Sequence, residues 1–240
     1  MDSEMNIVEH LSELRKRIII TLLSFLFSFL VSFLFVKNIF QFLTKDLDDK
    51  LALLGPGDIL WVYMVIAGTV AIAVTVPIAA LQVWKFVAPA FSIGEQKITL
   101  SFIPILFILF LIGLSFGYFA LFPLVISFLK NLSGDQFETF FTADKYFTFM
   151  VNLTLPFGFL FEMPVIIMFL TKLGIINPHK LIRVRKVSYF MLIVISVLIT
   201  PPDFVSDVLV IIPLLVLYEL SIIISKFVYR KQINTEINMH

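Results

Sequence analysis

The stretch HLSELRKRIIITLLSFLFSFLVSFLFV, residues 10–36, decides the architecture of this chain. Its second part, residues 18–36, is an uninterrupted apolar run of the kind that crosses a bilayer as a helix. Its first part is a basic cluster, typical of the edge of a membrane span. The cluster contains one carboxylate, Glu13, next to Arg15 and Arg17. What this acid binds is the question that the rest of the sequence has to answer.

The composition places the chain among membrane proteins. Hydrophobic residues make up 60% of it, and its mean hydropathy is +1.02, whereas soluble domains have about 45–50% apolar residues. A soluble chain of this size has no single core large enough to bury that much apolar surface. The net charge of +1 gives no indication of a nucleic-acid partner.

Six apolar runs follow one another along the chain, at residues 18–36, 59–91, 98–129, 147–170, 187–200 and 204–224. The last two are short for a hydrocarbon core of about 30 Å. We therefore predict an all-α integral membrane domain over residues 18–230. An amphipathic interfacial helix, residues 1–17, precedes this domain, and a tail, residues 231–240, follows it. Pro104 and Pro123 predict kinks in the third span, and Asn177-Pro178 predicts the start of the fifth helix.

The distribution of Lys and Arg predicts the orientation. With the amino terminus inside, the inner segments hold 13 of the 18 basic residues and the outer loops hold 5. This bias predicts a multi-pass protein of the cell membrane with both termini in the cytoplasm.

The sequence offers no thiol chemistry and no clustered histidines for a metal site. There is no cysteine, and the three histidines lie far apart outside the apolar runs, so we expect no catalytic residues, no metal and no cofactor. Gly113, Ser115 and Gly117 match G-x-S-x-G, but they lie inside a predicted helix with no strand before them. The same two glycines match G-x-x-x-G, which predicts a helix-packing face.

Two acids lie on the predicted cytoplasmic side, and each has two interpretations. Glu13 is four residues from Arg17, which suits a helix-face ion pair. Glu95 follows Ser92 by three residues, which suits a capping box. Alternatively, the two carboxylates each take an arginine from another protein through paired hydrogen bonds. Spacing alone does not show that they converge.

Two further acids lie within the apolar runs. Glu162 lies about 12 Å from the inner end of its span, a depth at which a charged acid needs a partner or water. No basic residue lies at that depth in this chain, so we favour a partner chain or a hydrated cavity. Glu219 lies nearer the inner interface, where Lys226 is within reach. A proton-coupled small-molecule transporter is the alternative that Glu162 leaves open.

Five segments together resemble one family: HLSELRKR (10–17), VWKFVAPAF (83–91), FGFLFEMPVI (157–166), TPPD (200–203) and IPLLVLYEL (212–220). This is the TatC family, the multispan receptor subunits of the twin-arginine protein translocase. The resemblance covers about residues 6–230 and implies six helices in a cup-shaped bundle. The chain departs from the family pattern at Gly94, at Asp207 and at Lys45-Asp46 in the first outer loop.

The resemblance also implies a function and a set of residues. Proteins of this family bind twin-arginine signal peptides of folded cargo, and TatA-type subunits, with or without a TatB-type subunit, complete a transport route driven by the proton gradient. Further implied partners are membrane lipid and other copies of the chain within the complex, but no nucleic acid. By position, the peptide site comprises Glu13, Glu95, Arg15, Arg17 and Phe86. Glu162 matches the intramembrane acid, and Asp203 matches the acid of the last outer turn.

Overall fold

The computed structural model is built from α-helices and describes residues 2–45, 51–90, 96, 100–133, 141–200 and 203–237. We number the helices α1 (Asp2–Leu34), α2 (Val36–Thr44), α3 (Asp58–Val87), α4 (Phe102–Phe116), α5 (Phe122–Ser133), α6 (Ala143–Phe161), α7 (Met163–Lys172), α8 (Pro178–Ile199) and α9 (Phe204–Ile237). A 3-10 turn, Ala88–Ala90, extends α3, and one π-helical turn, Gly117–Leu121, joins α4 to α5.

Within the described residues, five segments are long and apolar enough to cross a membrane: Val8–Leu34, Asp58–Val87, Phe102–Leu132, Ala143–Lys172 and Phe204–Arg230. The remaining long helix, α8, does not meet that criterion because its first turns carry four basic residues, Lys180, Arg183, Arg185 and Lys186. The predicted all-α integral membrane fold is confirmed.

The chain divides into two compact units, and the division falls inside α4 and α6. The first unit comprises residues 1–107 and 140–151, and α1 packs along α3 in it. Ala67 and Ala71 of α3 are fully buried, as expected where small side chains let another helix come close. Val62, Ile66 and Phe147 are among the other buried side chains of this unit.

The segment that precedes α3 is held in the first unit by backbone hydrogen bonds. Ala52 N–H donates to the Phe141 carbonyl at 3.0 Å, and Ala143 N–H donates to the Ala52 carbonyl at 2.9 Å. The Asp58 carboxylate then accepts from the backbone N–H groups of Leu54 and Gly55, at 2.8 Å each. These bonds close the turn that precedes α3 and fix where that helix begins.

The second unit comprises residues 108–139 and 152–240. Here α4 and its π-helical turn cross α6 at close range. A Cβ on Gly113 would lie 2.4 Å from the Phe157 carbonyl oxygen, and one on Gly117 would lie 2.8 Å from the Thr154 Cα. The helix-packing face predicted from these two glycines is confirmed. The π-helical turn ends at Leu121, two residues before Pro123, where a regular helix would have to accommodate a residue without an N–H.

The second unit also contains a helical hairpin, α8 and α9, which follows α7. Helix α7 ends at Lys172 and is followed by Gly174, whose φ of +72° lies in the left-handed region that glycine adopts without strain. Asn177 then caps α8, since its side-chain oxygen accepts from His179 N–H at 2.9 Å, as the sequence predicted. Helices α8 and α9 are joined by the Tyr218 hydroxyl, which donates to the Leu181 carbonyl at 2.9 Å.

Several predicted boundaries need correction. Helix α1 runs through residue 17 without a break and ends at Leu34 rather than 36, and the short helix α2 was not predicted. The fourth span is interrupted at Glu162, because Pro164 follows within two residues. Helix α8 begins nine residues before the predicted span of 187–200, because it includes polar first turns. Helix α9 begins at residue 204 as predicted and continues beyond residue 224 through polar last turns.

Candidate functional site

At the start of the first span, Glu13 belongs to a hydrogen-bonded group that joins α1 to α3. Arg17 Nη2 donates to Glu13 Oε1 at 2.9 Å, and Arg17 Nη1 donates to Gln82 Oε1 at 3.3 Å. Gln82 is buried five residues before the end of α3, and both charged side chains are partly exposed. The ion pair considered from the spacing is therefore present, and an amide from another helix extends it.

An aromatic pair flanks this group on the same two helices. The His10 ring stacks on the Phe86 ring, with centroids 4.3 Å apart and planes 27° from parallel. His10 is exposed and Phe86 is half-buried, so the pair presents a flat surface at the end of the helix pair. Neither His10 nor Gln82 was selected from the sequence. A glutamine inside an apolar helix was the one available signal.

The other residues predicted for this site lie apart from it or outside the described residues. Arg15 is exposed on α1 and, two residues from both Glu13 and Arg17, does not share their face. Glu95, and the capping box with Ser92, lie outside the described residues. The structure thus brings together Glu13, Arg17 and Phe86, three of the five residues implied by the resemblance.

Glu162 occupies the interruption between α6 and α7 in the second unit. Its N–H donates to the Phe159 carbonyl at 3.1 Å, and its own carbonyl accepts from Val165 and Ile166 at 3.1 and 3.0 Å. The backbone is therefore satisfied, but the side chain is not. Glu162 Oε1 is buried and receives no hydrogen bond from any described residue. This is the arrangement expected of an acid that lacks a partner within its own chain.

Asp203 caps the last helix. Its Oδ1 accepts from Ser206 N–H at 2.7 Å, which satisfies one of the free N–H groups at the start of α9. Its Oδ2 is buried and accepts no hydrogen bond within the described part of the chain. The Thr200 hydroxyl donates to the Asp207 side chain across the same turn. Asp203 thus caps α9, a structural role in addition to its match with the family's acid in this turn.

Glu219 has partners that the sequence did not indicate. Its Oε2 accepts from Arg185 Nη2 at 2.8 Å, and its Oε1 accepts from the Tyr189 hydroxyl. Both partners lie on α8, four residues apart and hence on one face of that helix. Lys226, which the sequence placed within reach of Glu219, forms no ion pair with it among the described residues, and Arg185 approaches from the neighbouring helix instead.

The long apolar helices, many of whose large apolar side chains are exposed, define a multi-pass α-helical membrane protein. A family model described as Sec-independent protein translocase protein (TatC) matches residues 9–213, and this chain belongs to that family. It is thus a component of the twin-arginine translocase and works in a complex with other subunits.

Relatives and solved structures agree with this assignment. The chain is 60% identical over 233 residues to Sec-independent protein translocase protein TatCd of Bacillus subtilis, covering 97% of this chain and 96% of that protein. It is 45% identical to TatCy of the same organism, covering 95% and 92%. A crystal structure described as the twin arginine translocase receptor TatC superimposes with a TM-score of 0.81 at 34% identity, covering 91% of this chain and 99% of that one.

Proposed function

We propose that this chain is the receptor and core subunit of the translocase. In this role it binds twin-arginine signal peptides of folded proteins and recruits TatA-type subunits for export driven by the proton gradient. The observation that carries the proposal is the group formed by Glu13, Arg17 and Gln82, with the His10–Phe86 pair at the same end of α1 and α3. The description of similar solved structures as receptors supports it.

The geometry at Glu13 leaves room for an incoming arginine. Arg17 reaches Glu13 through one nitrogen and one oxygen, so Glu13 Oε2 accepts from no described residue. An ionised carboxylate has about four acceptor positions, so it can keep Arg17 and still take a second guanidinium. Gln82 holds Arg17 from the other side, which fixes the direction of the carboxylate. The stacked rings of His10 and Phe86 offer an apolar surface to the peptide, and Glu95 is the second carboxylate of the proposal.

Alanine at Glu13 or Glu95 tests this site. A charge-assisted arginine contact contributes about 1.5–3 kcal/mol, so each substitution should weaken signal-peptide binding by roughly 10- to 100-fold. Changing the two arginines of the peptide to lysine should weaken binding to the wild type, because an ammonium has no paired N–H groups. In the Glu13→Ala, Glu95→Ala double variant, that change should matter much less. Peptide crosslinking is the measurement.

Glu9→Ala is the matched control, since it removes one exposed carboxylate a turn earlier on α1. It should leave peptide binding unchanged. If Glu13 served only the ion pair with Arg17, its loss would cost a few tenths of a kcal/mol of stability and leave binding intact. Full discrimination between arginine and lysine peptides in the double variant would place the site elsewhere.

The proposal also includes both termini in the cytoplasm, supported by the 13 to 5 distribution of basic residues. Impermeant thiol reagent outside intact cells should label a cysteine introduced at Ser133 and leave one at Asn177 unlabelled. The opposite pattern would reverse the orientation. Glu162 and the outer turn at Asp203 are the proposed contacts for the TatA-type subunits, because each carries a buried oxygen without a donor.

A proton-coupled small-molecule transporter is the second candidate, and the unpartnered Glu162 is the observation that favours it. The two functions separate in cells whose only twin-arginine receptor is this chain. Export of a folded reporter behind a twin-arginine signal, lost when the two arginines become lysines, supports the receptor. Absence of export in cells that contain the matching TatA-type subunit would leave the transporter as the better account.

A further inference from the structure

One end of the α8–α9 hairpin carries a group of basic residues without acidic partners. Lys180, Arg183 and Lys186 lie on α8, and Lys226 and Arg230 lie on α9. All five are exposed, and none forms an ion pair or hydrogen bond with any residue that the structure describes. Arg185, in the middle of this sequence, differs because Glu219 neutralises it. We call the five unpaired residues the basic end.

Contacts between the two helices bring these residues to the same end of the hairpin. Asn177 Nδ2 donates to the Tyr229 hydroxyl at 3.3 Å, beside Arg230. One turn further along α8, the Leu181 carbonyl accepts from the Tyr218 hydroxyl of α9. The basic residues of α8 and α9 therefore belong to one surface, because the hairpin fixes how its two helices are aligned.

The depth of the basic end matches lipid headgroups. Val187 and Phe190 are 60% and 61% exposed, as side chains that face lipid tails would be. Arg183 lies one turn before Val187, about 6 Å along the helix axis, and the headgroup layer is about 5–7 Å thick on each side of the core. Tyr189, Tyr218 and Tyr229 lie at this end too, and tyrosine is enriched at the membrane interface.

We propose that the basic end is a binding surface for the headgroups of anionic phospholipids. The phosphate of a lipid such as phosphatidylglycerol carries the negative charge that these five side chains do not meet among the described residues. The neighbouring apolar side chains keep the lipid tails beside the same two helices. The proposal does not depend on signal-peptide binding, and it holds for whichever leaflet this end of the hairpin meets.

The test compares lipid selectivity of the full chain in vesicles. Spin-labelled phosphatidylglycerol and phosphatidylcholine report, by electron paramagnetic resonance, the fraction of lipid immobilised at the protein. The wild type should prefer phosphatidylglycerol by about fivefold or more at low salt, and the preference should fall as salt is raised. The variant Lys180→Gln, Arg183→Gln, Lys226→Gln, Arg230→Gln should show almost no preference.

Two controls distinguish lipid binding at the basic end from an effect of the total charge of the protein. The variant Lys37→Gln, Lys45→Gln, Lys130→Gln, Lys145→Gln removes four exposed basic residues elsewhere and should keep the preference. Exchanging lysine for arginine and the reverse at the four tested positions should keep it as well. If the quadruple variant at the basic end fails to insert, each pair, 180 with 183 and 226 with 230, should lose part of the preference.

Three outcomes would overturn the proposal. The first is a wild type without preference for phosphatidylglycerol. An acidic segment of a partner protein would then be the better candidate ligand for these residues. The second is an unchanged preference in the quadruple variant, or in both pairs. The third is an equal loss in the control variant, which would mean that the lipid responds to total charge only.

Discussion

Glu162 and Glu219 are both carboxylates on membrane-spanning helices of the same unit, yet their surroundings differ completely. Glu219 accepts from Arg185 at 2.8 Å and from the Tyr189 hydroxyl, so both of its oxygens are used. Glu162 has a buried oxygen that accepts from no described residue. The difference teaches that depth in the membrane does not by itself mark a site. The presence or absence of an internal donor separates an acid that holds helices together from an acid available to a partner.

The local backbone explains why the two acids differ. Glu219 lies on a continuous helix, α9, beside one face of α8 that carries both Arg185 and Tyr189. Glu162 lies where α6 ends and α7 begins, and the residues around it are almost entirely apolar. A deep unpaired acid costs a few kcal/mol. The proposal that Glu162 is a binding contact would account for an acid that keeps this cost without a donor among the described residues.

The largest expected effect concerns Arg185. Arg185→Ala leaves Glu219 with only the Tyr189 hydroxyl, and loss of a hydrogen bond to a charged group costs about 1.5–3 kcal/mol. The free energy of unfolding should fall by that amount, less any relief from lipid headgroups or water at this end. Unfolding in mixed detergent micelles, followed by circular dichroism, measures it.

The double variant Arg185→Ala, Glu219→Gln sharpens this prediction. Removing the charge from the acid as well removes the unpaired carboxylate, so stability should recover in part. A double variant as unstable as the sum of the two single variants would mean that the two side chains do not interact. Glu219 would then no longer be an example of an acid that is stabilised by an internal partner.

The next effect, of about 1–3 kcal/mol, concerns the helix crossing that precedes Glu162. Gly113→Ala would place a Cβ 2.4 Å from the Phe157 carbonyl oxygen and 2.9 Å from the Phe161 Cβ, and backbone has little room to move. The free energy of unfolding should fall, and any function of the neighbouring Glu162 should be impaired. Gly68→Ala is the control. Its nearest neighbour is a Phe29 ring carbon at 3.9 Å, so that variant should be neutral or slightly stabilised.

Much of this architecture was predictable from the sequence because it depends on local patterns. The apolar runs predicted the spans, Asn177-Pro178 predicted the start of α8, and Gly113 with Gly117 predicted a packing face. Each of these depends on residues within a few turns of one another. The predicted boundaries were less accurate, since a helix such as α9 continues beyond its apolar part.

The partners of charged groups were not predictable in the same way. Arg17 and Gln82 are 65 residues apart, and Arg185 and Glu219 are 34 apart. Which of them meet depends on how two helices are rotated against each other, and a single sequence does not contain that angle. The depth of Glu162 was visible in the sequence. That its Oε1 lacks a donor required the structure.

The smallest expected effect on stability is at Glu162, and there the comparison with Glu219 is decisive. Glu162→Gln keeps the hydrogen-bonding capacity and removes the charge, so the free energy of unfolding should change by less than about 1 kcal/mol. Glu162→Leu replaces an unsatisfied polar group with an apolar one and should not destabilise the chain.

Export should respond differently from stability. At Glu162 the leucine variant should lose reporter export and crosslinking to TatA-type subunits, and the glutamine variant should lose less, because only leucine is unable to hydrogen-bond to a partner. At Glu219 leucine should reduce stability and export together, since Arg185 and Tyr189 then lose their acceptor. Loss of export with unchanged stability indicates a binding contact. Loss of export together with stability indicates a structural contact. Normal export by the Glu162→Leu variant would show that an unpartnered acid in this fold is merely tolerated, and the distinction drawn between the two acids would fail.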